Sequence, residues 1–206
     1  HVSLGGGIRE GVVMSAAVST PERSIDPVPG WVPWVRPIVL LVSGLTIAFT
    51  AALHHALGFD RAVVAVSLVA MGVAHLLEWR LMRQERPSPI PVLLGAVAIL
   101  AGLLHVVLWT PIAFGLLLAA WALVTGLCEL LGAMLGFSTR GDAIFLGAIG
   151  MLLAILVLLF LLDPIAVIGF FGAYSVIAGV YLGISVFDAR SKRRREAVEA
   201  AAAPQA

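Results

Sequence analysis

Charge is scarce in this chain. Only 12% of its 206 residues are Asp, Glu, Lys or Arg, about half the share of an average soluble domain. Lysine is nearly missing, with Lys192 alone among thirteen basic residues. Cys128 is the single cysteine, which excludes an intrachain disulfide and a cysteine-based metal site. No HExxH helix, nucleophile elbow, Walker loop or paired-aspartate phosphotransferase motif is present. The sequence therefore offers no catalytic residue and calls for no cofactor, and the chain reads as non-enzymatic. What it has in quantity is apolar side chain: 61% of residues, with a mean hydropathy of +1.06. A small globule cannot bury that much apolar surface, so a soluble enzyme, a nucleic-acid binder and a disordered protein are all excluded. The expected solvent is a bilayer.

Residues 1–13 are glycine-rich and patternless, and Met14 reads as the start, so they are set aside from the fold as not native. Residues 1–35 are expected to form a disordered tail, with Pro21, Pro27, Pro29 and Pro33 breaking it and Trp31 and Trp34 at headgroup level. Six apolar runs follow at about 37–57, 61–82, 90–109, 112–136, 143–162 and 164–187. Each is close to the ~20 residues that cross ~30 Å of hydrocarbon. The expected fold is an all-α membrane protein with six transmembrane helices across residues 36–188, arranged as three hairpins at about 37–82, 90–136 and 143–187. Residues 189–206 form a basic tail.

Links between the runs alternate in character. Gly58-Phe59-Asp60-Arg61, Thr110-Pro111 and Asp163-Pro164 are tight, with proline placed to open the fourth and sixth helices. The other links and both tails carry twelve of the thirteen basic residues, leaving only Arg61 on the opposite side. By the positive-inside rule both termini are cytoplasmic and the tight turns face outward.

The runs also repeat. Leu94-Gly95-Ala96 corresponds to Leu146-Gly147-Ala148, and Pro111-Ile112-Ala113 to Pro164-Ile165-Ala166. Ser43-Gly44-Leu45 resembles Ala101-Gly102-Leu103, and Gly72, Gly126 and Gly179 stand at near-equal intervals. Three hairpins of one orientation predict a parallel repeat about an axis along the membrane normal. Gly126, the pair Gly132 and Gly136, and the pair Gly179 and Gly183 are expected at helix contacts, since small residues let backbones approach closely in lipid.

Polar groups inside the runs are the candidate functional residues. A charge at a span centre costs roughly 2.5–3.5 kcal/mol by insertion measurements, so Glu129 needs a reason. His75 and Glu129 each stand three residues past their repeat glycine. One reading pairs them across two repeats as a proton-sensitive latch or relay. The preferred reading is structural: a hydrogen bond fixing helix register, or a carboxyl kept neutral by its surroundings. A second set, His54, His55, His105 and Asp163, gathers with Asp60 at the outer face. These are expected to reach water at the interface, with Asp163 capping the sixth helix. Histidine changes charge between about pH 5 and 8, so pH sensing is the alternative. The spacings match no zinc motif, and no metal site is expected.

Six spans in three hairpins, the Leu-Gly-Ala opening, and the Thr/Asp-Pro-Ile-Ala turn followed fifteen residues later by Gly126 or Gly179 resemble the HdeD family of bacterial membrane proteins. The similarity covers residues 37–187 and is clearest from 90 to 187; Asp60-Arg61 departs from the Asp-Pro expected of the first hairpin. The resemblance implies a six-span protein of the bacterial inner membrane linked to acid or envelope stress, without catalytic residues. Two other functions stay open: a small oligomeric channel or transporter using Glu129 and His75, and a structural subunit of a membrane complex. The expected partners are the lipid bilayer and either further copies of the chain or other membrane subunits, not nucleic acid.

Overall fold

A computed structural model describes residues 29–54, 57–82, 88–108, 110–136 and 140–202. Six helices make up the fold: α1 (Val32–Phe49), α2 (Leu57–Met82), α3 (Ile90–Val107), α4 (Pro111–Met134), α5 (Arg140–Leu159) and α6 (Pro164–Ala202). A single 3-10 turn, Ala51–Leu53, lies between α1 and α2, and no strand occurs among the described residues. All six helices are long and apolar enough to cross a membrane. The chain is a multi-pass membrane protein.

Helix ends follow local chemistry. The Thr110 hydroxyl accepts the Ala113 N–H at 3.1 Å, and Asp163 Oδ1 accepts the N–H groups of Ile165 and Ala166 at 3.1 Å each. Both satisfy orphan donors of a first turn, and Pro111 and Pro164 occupy first helical positions where no donor is needed. At the far end of α4, Gly136 takes φ +75°, the left-handed geometry that glycine adopts without penalty.

Three helices depart most from the sequence expectation. α1 begins at Val32 and ends at Phe49, earlier than the 37–57 run, so Trp34 and Arg36 are helical rather than part of the tail. Pro33 lies in the first turn, where its missing N–H is harmless. α2 begins at Leu57, which turns the expected Gly58-Phe59-Asp60 loop into helix with Asp60 near the positive end of the dipole. α6 runs on to Ala202, because the alanine-rich segment after Arg195 is made of strong helix formers.

The closest helix pairs are α2 with α3, α4 with α5, and α6 with α1; looser contacts of α1 with α2, α3 with α4 and α5 with α6 complete a ring. Each close pair meets through a glycine. A Cβ on Gly72 would lie 2.7 Å from the Gly95 carbonyl oxygen, and one on Gly126 would lie 3.0 Å from that of Gly147. One on Gly179 would lie 2.9 Å from Leu41 N and 3.1 Å from the Pro37 carbonyl oxygen. Further along, Gly102 meets the Ala65 carbonyl and Gly44 that of Gly172, at 2.9 and 2.8 Å to the added carbon. With lipid outside, such backbone approach replaces the hydrophobic effect as the source of cohesion. The expected glycine pairs divide: Gly132 is buried on α4, but Gly136 serves as a helix stop, and neither Gly136 nor Gly183 has anything within 4 Å of an added Cβ.

Replacing Gly72 with alanine forces two backbones apart and is expected to lower stability by about 1–3 kcal/mol, the usual range for overpacking. Gly183→Ala is expected to be neutral. Thermal unfolding of both variants in the same detergent checks the contrast.

Candidate functional site

The ring encloses a vestibule at one end, its lining largely apolar but set with charged groups. It has a volume of about 560 Å³ and takes lining from α1 (Arg36, Pro37), α2 (His75, Glu78, Trp79), α3 (Ile90, Leu94), α4 (Glu129), α5 (Asp142) and α6 (Ser185, Arg190, Arg193). This end carries the extension of α6, and its walls mix apolar faces with charges of both signs. The Ser185 hydroxyl donates to both oxygens of Asp142 at 2.9 Å, tying α6 to α5 at the wall.

Arg36, His75, Leu94, Glu129 and Leu146 form the floor of the vestibule. The same residues roof a second chamber of about 20 Å³, whose deeper lining includes Trp121, Thr125 and Tyr174. A chamber of that size holds one water-sized occupant. Arg36 Nη2 donates to Glu129 Oε1, joining α1 to α4, with the two side chains 19% and 8% exposed. Glu78 faces the same guanidinium electrostatically from α2.

The reading that pairs His75 with Glu129 is not what the helices bring together. Glu129 binds Arg36, while His75, 5% exposed, stands beside the pair with no hydrogen-bond partner for Nδ1 among the described residues. Arg36 Nε and Trp121 Nε1 likewise lack partners there. Other hydroxyls nearby are spent on their own helices: Thr125 donates to the Trp121 carbonyl at 2.8 Å and Ser175 to that of Phe171 at 2.8 Å. Trp121 is held by edge contacts with Phe171 and Tyr174, at 5.8 and 6.0 Å between ring centres. One to three turns further along, the interior is mostly apolar, with Ser43 and Ser67 as small polar residues buried in it. Met71, Leu68 and Val64 on α2, Leu118 and Phe114 on α4, and Phe171 and Ile168 on α6 are all buried. The cavity is thus open at one end and plugged toward the other.

The opposite end holds the remaining candidates, and of these His54 and His105 are buried rather than facing water, while Asp163 is exposed as expected. His54 is 6% exposed and His105 1%. His54 Nδ1 lies 2.6 Å from Asp60 Oδ1 and its Nε2 2.9 Å from the Ile47 carbonyl. A carbonyl only accepts, so Nε2 donates to Ile47, and Nδ1 is in close hydrogen-bond contact with the Asp60 carboxyl group. Burial pulls the His54 pKa down, but the Ile47 hydrogen bond, the Asp60 hydrogen bond and the Asp60 charge outweigh it and raise the pKa above its ordinary value. His105 Nδ1 donates to the Ala101 carbonyl at 2.7 Å, and its ring meets Phe114 edge-on at 5.6 Å. Arg61, 5% exposed, donates to the His105 carbonyl at 3.0 and 2.7 Å and to that of Val106 at 3.1 Å, satisfying the last carbonyls of α3. Asp163 caps α6 as described. His55 lies outside the described residues. Among the described residues no three His, Cys, Asp or Glu side chains converge as metal ligands would.

Arg36, Trp121 and Tyr174 are the site residues that sequence reasoning missed. Arg36 carried a usable signal, being a base immediately before an apolar run that could accept an earlier start. No family model, curated protein or solved structure matches this chain.

Two predictions follow from this geometry. Arg36→Ala leaves the Glu129 carboxylate buried without its partner and is expected to cost about 3–5 kcal/mol, with most of that loss recovered in the Arg36→Ala/Glu129→Ala double variant; chemical unfolding of the four proteins closes the cycle. His54 has a folded pKa above its unfolded one, so its contribution is complete below about pH 6.5 and is lost as pH rises through the raised value. Melting temperature followed from mildly acid to alkaline pH is expected to fall in the wild type, and His54→Gln is expected to remove that slope.

Proposed function

We propose that this chain is a small-solute channel or transporter of the bacterial plasma membrane, non-enzymatic, with its vestibule as the cytoplasmic mouth of the path. The observation that carries the reading is the part-buried Arg36–Glu129 pair, which joins two apolar helices at the floor of an open cavity. An intramembrane ion pair that only held helices together would have no need of a 560 Å³ approach from one side. Ionisable groups at such depth mark substrate and ion pathways. Both termini are assigned to the cytoplasm on the arginine and lysine distribution, which gathers at the vestibule end. A three-hairpin parallel repeat is supported by the recurring glycine seams at Gly72, Gly126 and Gly179. The lipid-facing apolar surface leaves room for assembly with further copies or with other membrane subunits.

A second reading is the acid- or envelope-stress role implied by the HdeD resemblance. The His54–Asp60 ion pair favours it, since it ties the turn after α1 to the start of α2 most firmly at low pH. The pH series on His54→Gln tests that premise.

Osmotic re-swelling of proteoliposomes tests the transport reading with three probes: potassium chloride, sodium acetate and glycerol. At least one is expected to enter faster than into protein-free vesicles, and Ala189→Trp, which fills the exposed vestibule wall, is expected to slow it. Re-swelling no faster than in empty vesicles with all three would remove this reading.

A further inference from the structure

We propose that the inner chamber beneath the Arg36–Glu129 pair is a binding site for a small monovalent anion of halide size, taken up together with a proton that neutralises Glu129. The inference rests on the vestibule reading and names the solute class for it.

Three observations converge on the chamber. Its unpartnered polar atoms are dominated by donors: Arg36 Nε and Trp121 Nε1 carry hydrogens that can only be donated, and His75 Nδ1 is the third. Trp121 and His75 are more than nine-tenths buried, so neither reaches bulk water. The residues share one cavity of about 20 Å³, which fits a single monatomic occupant and excludes a polyatomic metabolite. An occupant held there must accept at least two hydrogen bonds, and it lies beside a guanidinium that is never deprotonated.

With Glu129 ionised, Arg36 already has its counter-charge and an anion gains little. A proton delivered from the vestibule to the carboxylate cancels that charge and leaves the guanidinium uncompensated. An anion entering behind it restores balance, so one H⁺ and one X⁻ are taken up and the net charge of the site does not change. No bond other than O–H forms, and nothing is oxidised or reduced. The charged and titratable groups around Glu129 are Arg36 from α1, His75 and Glu78 from α2, Cys128 on α4 itself, Asp142 from α5, and Tyr174, Arg190 and Arg193 from α6. Of these, Glu78 also acts on Arg36, and Asp142 is held by Ser185. Glu129 alone forms an ion pair with Arg36 among the described residues, which makes it the group whose proton matters most.

Titration of the purified full chain with sodium fluoride and sodium chloride, against sodium gluconate, tests this by calorimetry. The wild type is expected to bind halide more tightly near pH 5 than near pH 8, by up to about tenfold for each pKa unit by which bound halide favours the protonated carboxyl. Glu129→Gln, a permanently neutral side chain of the same shape, is expected to bind at both pH values with that ratio lost. Glu78→Gln is expected to keep it. Halide binding absent from both wild type and Glu129→Gln overturns the proposal, and so does binding of equal strength at the two pH values in the wild type. Should Glu129→Gln not fold, Trp121→Phe carries the test, because it removes one obligate donor and keeps the pair. Weaker binding near pH 5 is then expected, and unchanged affinity overturns the site. Failure here with re-swelling by acetate or glycerol intact sinks the anion site alone; the absence of all re-swelling sinks the transport reading.

Discussion

Hydrocarbon gives a guanidinium nothing to bind, so Arg36 on α1 dictates much of what surrounds it. Its partner is Glu129, 93 residues away on α4, and the two side chains bring the first and fourth helices of the ring to a common point. Replacing such a pair with apolar side chains is often neutral or better for stability. Its presence under an open cavity therefore points away from cohesion and toward use. The vestibule above, the donor-rich chamber below and the apolar plug beyond are all arranged about that one contact.

Cohesion itself comes from elsewhere. The tight seams between α2 and α3, α4 and α5, and α6 and α1 put glycine against backbone at a distance no other residue tolerates. Leucine and valine outside these seams are exposed in large number and belong to lipid. Division of labour follows: small residues fix the distances between helices, and a few polar ones decide what the enclosed space can hold.

Much of the scaffold was legible in the chain. Runs of apolar residues, Thr110-Pro111 and Asp163-Pro164 announced spans and starts, because capping and proline geometry act within a few residues. The depth of Glu129 was legible too, but its partner was not, since pairing across two helices leaves no local mark. Arg36 escaped notice because the proline-rich stretch ending at Pro33 read as a tail, although proline in a first turn is compatible with helix. His54 and His105 were expected to face water. Their position near the helix ends was correct in sequence, but helical periodicity alone does not say that a turn folds inward onto Asp60 and the Ala101 carbonyl.

α6 has 39 residues, a rod of roughly 58 Å, close to twice the hydrocarbon thickness. Residues beyond Phe187 are nearly all exposed, yet they continue without a break from the segment that carries Gly179. A continuous helix of that length lifts the arginine-rich stretch from Arg190 to Arg195 clear of the hydrocarbon while leaving it rigidly joined to the seam that Gly179 makes with Pro37 and Leu41.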